Sequence, residues 1–365
     1  MSSSSTEAER RLREYREKID TIDEQVQTLL AERAAHAQAI ARIKHEHAPE
    51  QSFYRPEREA QVLERVAARH TGPLERDDVL RIFREIMAAC LALEQPLAVA
   101  YFGPEGSFTE AALRKHFGGA VEAVPLASIR DVFREVAAAT VAFGVVPVEN
   151  SAEGVVTHTH DLFLHSSVRI VGEAVLRIHH QLMVQGEDRS AIRRVAAHPQ
   201  ALAQCREWLD VHWPGLERLP VANNAEAARL ACTDTSLAAI ASLEAAARWG
   251  LTVIARNIED TPDNSTRFLI IGRQAVGPSG KDKTSLILSA PNAPGALHAL
   301  LEPLARRGIS LARIQSRPSK GALWEYVFFV DILGHEEDPA IRDTLAEFER
   351  DGRLLRRLGS YPRAL

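Results

Sequence analysis

Apolar residues near the N-terminus recur at steps of three and four. Leu12, Tyr15, Ile19, Ile22, Val26 and Leu29 keep this rhythm, and Arg33, His36, Ile40 and Ile43 continue it. The spacing predicts a coiled-coil-like seam along one long helix. A helix over 6–47 would span about 60 Å at about 1.5 Å per residue. Pro49 is expected to end it. Pro56 suits the first turn of a second helix reaching about residue 70, Gly72-Pro73 breaks that one, and a third is expected over 75–94. No glycine precedes Gly72, which fits an all-helical domain over 6–95.

The rhythm changes after Gln95-Pro96. Short apolar runs at 97–102, 120–125, 141–148, 168–184, 195–197, 238–241, 253–255 and 267–271 alternate with helical stretches. This predicts an α/β domain over 97–275 with a mostly parallel sheet. Gly277-Pro278-Ser279-Gly280 reads as a linker. The segment 282–365 then gives strand 284–289, helix 294–307, strands 309–315 and 323–332, helix 339–350 and strand 354–360. That order is the ferredoxin-like α+β arrangement, so a multidomain chain of three parts is expected.

Composition narrows the choices. The 365 residues are 45% hydrophobic and 25% charged, ordinary for a soluble globular protein. The formal net charge of -5 argues against a nucleic-acid partner. Cys90, Cys205 and Cys232 are far apart and lack CxxC spacing, so no disulfide framework is expected and a cytoplasmic setting fits. Residues 1–10 lack the apolar core of a signal peptide, and no run of about eighteen apolar residues predicts a membrane span. No cofactor is expected. A dinucleotide motif GxGxxG is absent, which counts against a fused dehydrogenase. His158, His160, His165, His179 and His180 lack the carboxylate or cysteine partners of a metal site.

Arg33 lies on the apolar seam, where an unpaired charge is costly. Lys44, almost three turns on, lies near the same face, and the two could close on a small dianion. Arg16 is about 25 Å from Arg33 along the helix. It can reach that ligand only from a second copy, so a homodimer or higher homo-oligomer is implied. The third helix carries a stripe of Val79, Phe83, Ile86 and Cys90 whose next step is Glu94, a carboxyl group with a pKa expected to be raised.

The run 12–44, with Arg16-Glu17-Lys18-Ile19-Asp20 and Leu30-Ala31-Glu32-Arg33, then Arg55-Pro56-Glu57-Arg58-Glu59, resembles the all-helical chorismate mutase domain. The resemblance implies that Arg33, Lys44 and Arg58 bind chorismate from one chain and Arg16 from the other. It also implies that Glu59 holds a substrate hydroxyl and that Glu94 faces the ether oxygen that breaks. Lys44 and Glu94 are the residues it makes catalytic. A Claisen rearrangement needs no nucleophile or metal, only a folded substrate and positive charge near the developing enolate. The plainer alternative is a structural helical dimer with these cations in surface salt bridges.

Four polar motifs sit at strand ends or in adjoining loops of the α/β region. They are Tyr101-Phe102-Gly103-Pro104-Glu105-Gly106-Ser107-Phe108-Thr109-Glu110, Val146-Pro147-Val148-Glu149-Asn150-Ser151, Ala197-His198-Pro199-Gln200, and Asn257-Ile258-Glu259-Asp260 with Asn264-Ser265-Thr266-Arg267-Phe268. Open α/β sheets bind ligands at such ends. Ser107 and Glu110 have capping-box spacing. Together the motifs resemble prephenate dehydratase over about 97–273, a fold of two α/β lobes around a cleft. The resemblance implies Thr266 as the central catalytic residue, with Ser107, Glu149, Asn150, Ser151 and Arg267 lining the cleft and His198 and Gln200 beside them. Arg267 is expected to hold the side-chain carboxylate of prephenate, since pairing with the departing one would slow its loss.

In the last region, Asn292-Ala293-Pro294-Gly295-Ala296-Leu297 opens a helix, with Pro294 in its first turn, and Gln315-Ser316-Arg317-Pro318 ends a strand. These resemble the ACT domain that binds phenylalanine between paired copies. The resemblance implies an effector site of Asn292, Gly295, Ala296, Leu297, Gln315, Ser316 and Arg317, with Gln315 where the family usually has Glu. The alternatives are a dimerisation unit without ligand and, for the α/β region, a small-molecule receptor.

Overall fold

The computed structural model describes residues 2–47, 54–152, 154–186, 188–318 and 325–364. Pro49, and residues 323–324 of one expected strand, lie outside them.

The first part holds α1 (Ser2–His47), α2 (Pro56–Arg69) and α3 (Arg76–Glu94), the three helices that the periodicity and proline signals predict. α2 and α3 pack through Leu63, Val66 and Leu80. Most of the α1 seam is exposed: Leu12, Tyr15, Ile19, Ile22, Val26 and Leu29 all face solvent, Leu29 to 63%.

The central domain has two lobes. The first contains β1 (Ala98–Phe102), α4 (Phe108–Phe117), β2 (Glu122–Leu126), α5 (Ile129–Ala137), β3 (Phe143–Asn150), β4 (Gly154–Val155), α6 (Thr157–Phe163) and β5 (Arg169–Arg177). The second contains β6 (Gln181–Val184), β7 (Arg194–Ala197), α7 (Pro199–Gln204), α8 (Arg206–His212), β8 (Glu217–Pro220), α9 (Asn224–Ala231), β9 (Leu237–Ala241), α10 (Leu243–Trp249) and β10 (Thr252–Ala255). The chain then returns to the first sheet as β11 (Ser265–Gly272). The strand orders are β2-β1-β3-β11-β5, with β4 on β3, and β10-β6-β9-β7-β8.

Two expectations change here. The sheets are mixed rather than mostly parallel, because β11 runs antiparallel to both β3 and β5, and β6 antiparallel to both β9 and β10. The apolar run 168–184 is also two strands in different sheets. The chain crosses between lobes at 178–180, where Ile178 N donates to Asn264 O (2.8 Å) and His180 O accepts from Ile258 N (2.9 Å). A continuous apolar run cannot reveal such a crossing, since both strands are buried on two faces.

The last part holds β12 (Asp282–Pro291), α11 (Ala296–Arg306), β13 (Leu311–Pro318), β14 (Glu325–Leu333), α12 (Pro339–Arg350) and β15 (Leu354–Pro362). Its order, β13-β14-β12-β15, is the ferredoxin-like one. α11 starts two residues later than expected. Gly295 caps it at φ 78, and Pro294 lies in the preceding turn, closed by Ala296 N donating to Ala293 O (3.1 Å).

The three parts share buried surface. Leu358 and Tyr361 of β15 join the core of Phe133, Ile170 and Leu269. β15 lies so close to β5 that a Cβ at Gly359 (φ 144) would overlap the Ile170 carbonyl. Tyr54, before α2, packs its ring on Phe117 and Phe143 of the first lobe.

Candidate active sites

A cleft of about 1220 Å³, counting the open solvent at its mouth, separates the two lobes. Ser107, Asn150, His198, Gln200 and Thr266 all line it. Thr266 stands near the start of β11, opposite Asn150 at the end of β3. Asn150 Nδ2 donates to Thr266 Oγ1 (2.8 Å) and to Asn264 Oδ1 (2.9 Å). Ala152 N donates to Asn150 Oδ1 (2.9 Å), which fixes the amide's orientation. Ser151 stands behind this group, accepting from Ser265 N at 2.9 Å.

Four helix starts border the cleft through their caps, Ser107, His198, Asn223 and Ser242. Ser107 Oγ accepts from Glu110 N (3.3 Å), and Glu110 Oε2 reaches back to Gly106 N (2.7 Å). Gly106 has φ 79, and a Cβ there would meet Ala245 at 3.3 Å, so the turn needs glycine. Asn223 Oδ1 accepts from Glu226 N (2.8 Å). Among the described residues, no Asp, Glu, Lys or Arg lines the cleft.

Ser151 is not among the described lining residues, and two further expected cleft residues lie elsewhere. Side chains alternate along a strand, so Arg267 faces away from Thr266. Its guanidinium donates to Glu173 (2.8 Å), Asp331 (2.7 Å) and the Tyr361 hydroxyl (3.0 Å), between the first lobe and the last domain. Burial opposes its charge, but Tyr361, Asp331 and Glu173 hold its pKa above the ordinary arginine value. Arg267 therefore does not hold a substrate carboxylate in this cleft. Glu149, beside Arg267 in the register, likewise faces away and pairs with Arg313 (3.2 Å). The motif reading also left Gln204, His180 and Asn264 without roles. Asn264 Nδ2 donates to Gln204 Oε1 (3.3 Å), and His180 Nε2 lies 2.9 Å from the same oxygen. Gln204 lies in no motif, and His180 stood out only as one of a pair of histidines.

In the helical domain, Lys44 Nζ lies 3.9 Å from Glu94 Oε2, and Arg33 Nη1 contacts Ile86 O at 3.5 Å. Burial raises the Glu94 pKa, and Lys44 and Arg33 partly offset it. Glu94 Oε2 is buried without a hydrogen-bond partner, as a carboxyl group meant for a ligand would be. Arg16 is exposed on α1, and Arg58 is exposed on α2. Glu59 turns toward Arg84 (3.8 Å), which the sequence reading did not single out. About 15 Å of helix separates Arg84 from Glu94, so this single chain does not bring Glu59 to the Lys44–Glu94 pair. Burial pushes the Glu59 pKa up to about 7, against the pull of Arg84 and Tyr54.

In the last domain, Asn292, Gly295 and Leu297 are exposed around the start of α11, and Ala296 is half-buried. Gln315 donates to Ser316 O (3.3 Å), and Arg317 is bound to Thr157 O and to Asp161 of α6, each at 3.0 Å. Among the described residues, no group of three or more His, Cys, Asp or Glu is placed to hold a metal ion, and no helix is long and apolar enough to cross a membrane.

The fold and these sites define a class: a multidomain enzyme that joins a helical mutase-type domain to a two-lobed α/β domain and a ferredoxin-like regulatory domain. Family models match each part, chorismate mutase type II at 15–95, prephenate dehydratase at 99–276 and the ACT domain at 284–350. The chain is 53% identical to a bifunctional chorismate mutase/prephenate dehydratase of Pseudomonas aeruginosa, over 97% of this chain and 98% of that one. It is 41% identical to the protein of the same description from Aquifex aeolicus, over 97% and 98%. Its structure is similar to that of a prephenate dehydratase in complex with L-Phe from Arthrobacter aurescens, with TM-score 0.67 and 37% identity over 73% of this chain and 90% of that one. The chain belongs to the bifunctional chorismate mutase/prephenate dehydratase family.

Proposed function

We propose that the chain turns chorismate into prephenate in its helical domain and prephenate into phenylpyruvate in the lobe cleft, on the route to phenylalanine, with phenylalanine as effector. The observation that carries the second step is Asn150 donating to Thr266 Oγ1 inside a cleft where no Asp, Glu, Lys or Arg is among the described lining residues.

Decarboxylating dehydration moves the electron pair of the ring-carbon–carboxylate bond into the ring and breaks the opposite carbon–oxygen bond. Carbon dioxide leaves, and the departing hydroxide takes up a proton to become water. Since Thr266 Oγ1 accepts from Asn150, its own O–H can donate a hydrogen bond to the leaving hydroxyl, with the net proton coming from solvent. That hydrogen bond strengthens as charge develops on the oxygen, so it lowers the barrier rather than the ground state. The absence of Lys and Arg among the described lining residues suits the departing carboxylate. A fixed positive charge would stabilise it before it is lost. The amides at the starts of α4 and α9 can receive the other carboxylate.

For the mutase step, Arg33 and Lys44 hold the dianion and protonated Glu94 donates to the ether oxygen as that bond breaks and the carbon–carbon bond forms. Arg16 comes from a second copy. The exposed seam from Leu12 to Leu29 supports such pairing, because an apolar stripe of this length is normally covered. Arg58 and Glu59 join the site only if pairing of two copies redirects α2. The effector site at Asn292, Gly295, Ala296, Leu297, Gln315 and Ser316 lies open in one chain, as a site completed by a second copy would. Arg317, held by α6, takes part there only by leaving Asp161.

The test supplies chorismate and follows phenylpyruvate with and without phenylalanine. The chain is expected to form phenylpyruvate, more slowly when phenylalanine is added. Thr266→Ala should accumulate prephenate, with dehydration slowed about 10²–10⁴-fold, the range for losing a proton-donating group. Undiminished phenylpyruvate output from that variant would remove the dehydratase assignment.

A further inference from the structure

His180 lines the cleft, is only 2% exposed, and has a buried Nδ1 with no hydrogen-bond partner. Its place in the hydrogen-bond pattern can be read from one fixed donor. The backbone N–H of Ala152 can only donate, so the Asn150 atom it meets must be Oδ1. Asn150 Nδ2 then spends its two hydrogens on Thr266 Oγ1 and Asn264 Oδ1. Asn264 therefore presents Nδ2 to Gln204, whose Oε1 accepts it at 3.3 Å. The same oxygen lies 2.9 Å from His180 Nε2, so Nε2 must carry a proton. Every orientation in this path follows from the one before it.

We infer that His180 is a positioning residue for dehydration: its Nε2–H, given to Gln204, completes the path that the Ala152 N–H begins, and so holds Asn264, and through it Asn150, in place against Thr266 while its buried Nδ1 stays unprotonated. With the opposite tautomer, Gln204 would have to donate to His180. Asn264 would then turn, its amide nitrogen would face that of Asn150, and the hydrogen bond between the two amides would be lost. The His180 backbone is itself anchored, with its N–H given to Glu259 Oε2 (2.9 Å). Burial lowers the His180 pKa, against the effects of Gln204 and Glu259, so the ring is mainly neutral at neutral pH. The inference rests on Thr266 acting on the leaving hydroxyl.

Two measurements on the full chain test it. In ¹⁵N spectra of histidine-labelled protein, the signal pair lost in His180→Gln should show a protonated Nε2 and an unprotonated Nδ1 near neutral pH. A protonated Nδ1 overturns the proposal. With prephenate as substrate, His180→Phe should lower kcat about a hundredfold with little change in KM, the scale of a misaligned reacting group. His180→Gln, whose amide can still donate to Gln204, should recover about tenfold of that, one hydrogen bond's worth. Equal losses in the two variants, or a loss confined to KM, would overturn it. Mutase turnover of each preparation reports whether the chain has folded; if His180→Phe fails there, the spectra and His180→Gln decide. The tautomer stands or falls independently of Thr266→Ala, so failure of this inference is distinguishable from failure of the dehydratase reading.

Discussion

Thr266 and Arg267 are consecutive and face opposite sides of one strand. The first meets Asn150 in the cleft, and the second meets Glu173 and Asp331 behind it. A motif read as a string assigns both to the substrate, and only the two-residue period of the strand separates them. Glu94 makes a different point. Its place at the end of an apolar stripe was enough to expect a raised pKa, and burial raises it. The acid form is the donor, and a raised pKa carries that form to higher pH. The mutase rate should therefore fall as pH rises through the Glu94 pKa. Glu94→Gln, which donates at every pH, should flatten the profile, as initial rates with chorismate across the pH range would show. A wild-type rate that climbs with pH would exclude this role.

At the scale of elements, α1 is the least self-sufficient part. Ile19 and Val26 lie mid-seam, 56% and 47% exposed. A single long helix presenting such a stripe to water gains little from its own packing, because isolated helices are marginal without a buried face. Val26→Asp should place a charge in the seam of the paired form. The expected outcome is a smaller species by sedimentation and loss of mutase turnover, while the lobe cleft, built from one chain, keeps dehydrating prephenate. An unchanged sedimentation coefficient would show that this face is not where copies meet. The strand ends behave oppositely. Their caps and turns place Ser107, Asn150, His198 and Thr266 in one cleft without help from a second copy.

In the whole molecule, ion pairs join the parts, the Arg267 pair the most deeply buried of them. Arg267–Asp331, Glu149–Arg313 and Arg317–Asp161 all run between the central and last domains. Arg267→Ala would leave Glu173 and Asp331 short of their partner, at a cost of about 3–5 kcal/mol for a broken buried pair. A clear fall in melting temperature is expected with the KM for prephenate unchanged in the surviving folded protein. A rise in KM alone would return Arg267 to the substrate. Glu59 lies where the helical domain meets the first lobe, near Arg84 and Tyr54. Its pKa rises from 4.5 to about 7 on folding. The stability tied to its neutral form is complete below about 4.5 and is lost as pH rises through 7. Glu59→Gln should therefore raise the melting temperature at about pH 8.5 and change it little at about pH 4.5.

The amino-acid order by itself determined the three-part plan, the helix boundaries of the first and last parts and the polar strand ends, because periodicity, proline, glycine and caps act over a few residues. It also marked Lys44, Glu94, Asn150 and Thr266. Tertiary structure alone decided what each side chain meets. It turned Arg267 and Glu149 away from the cleft, held Glu59 on Arg84, and brought His180 and Gln204 to Asn264. Those outcomes depend on which strands pair and where the chain crosses between lobes, and such long-range contacts leave no local periodic signal.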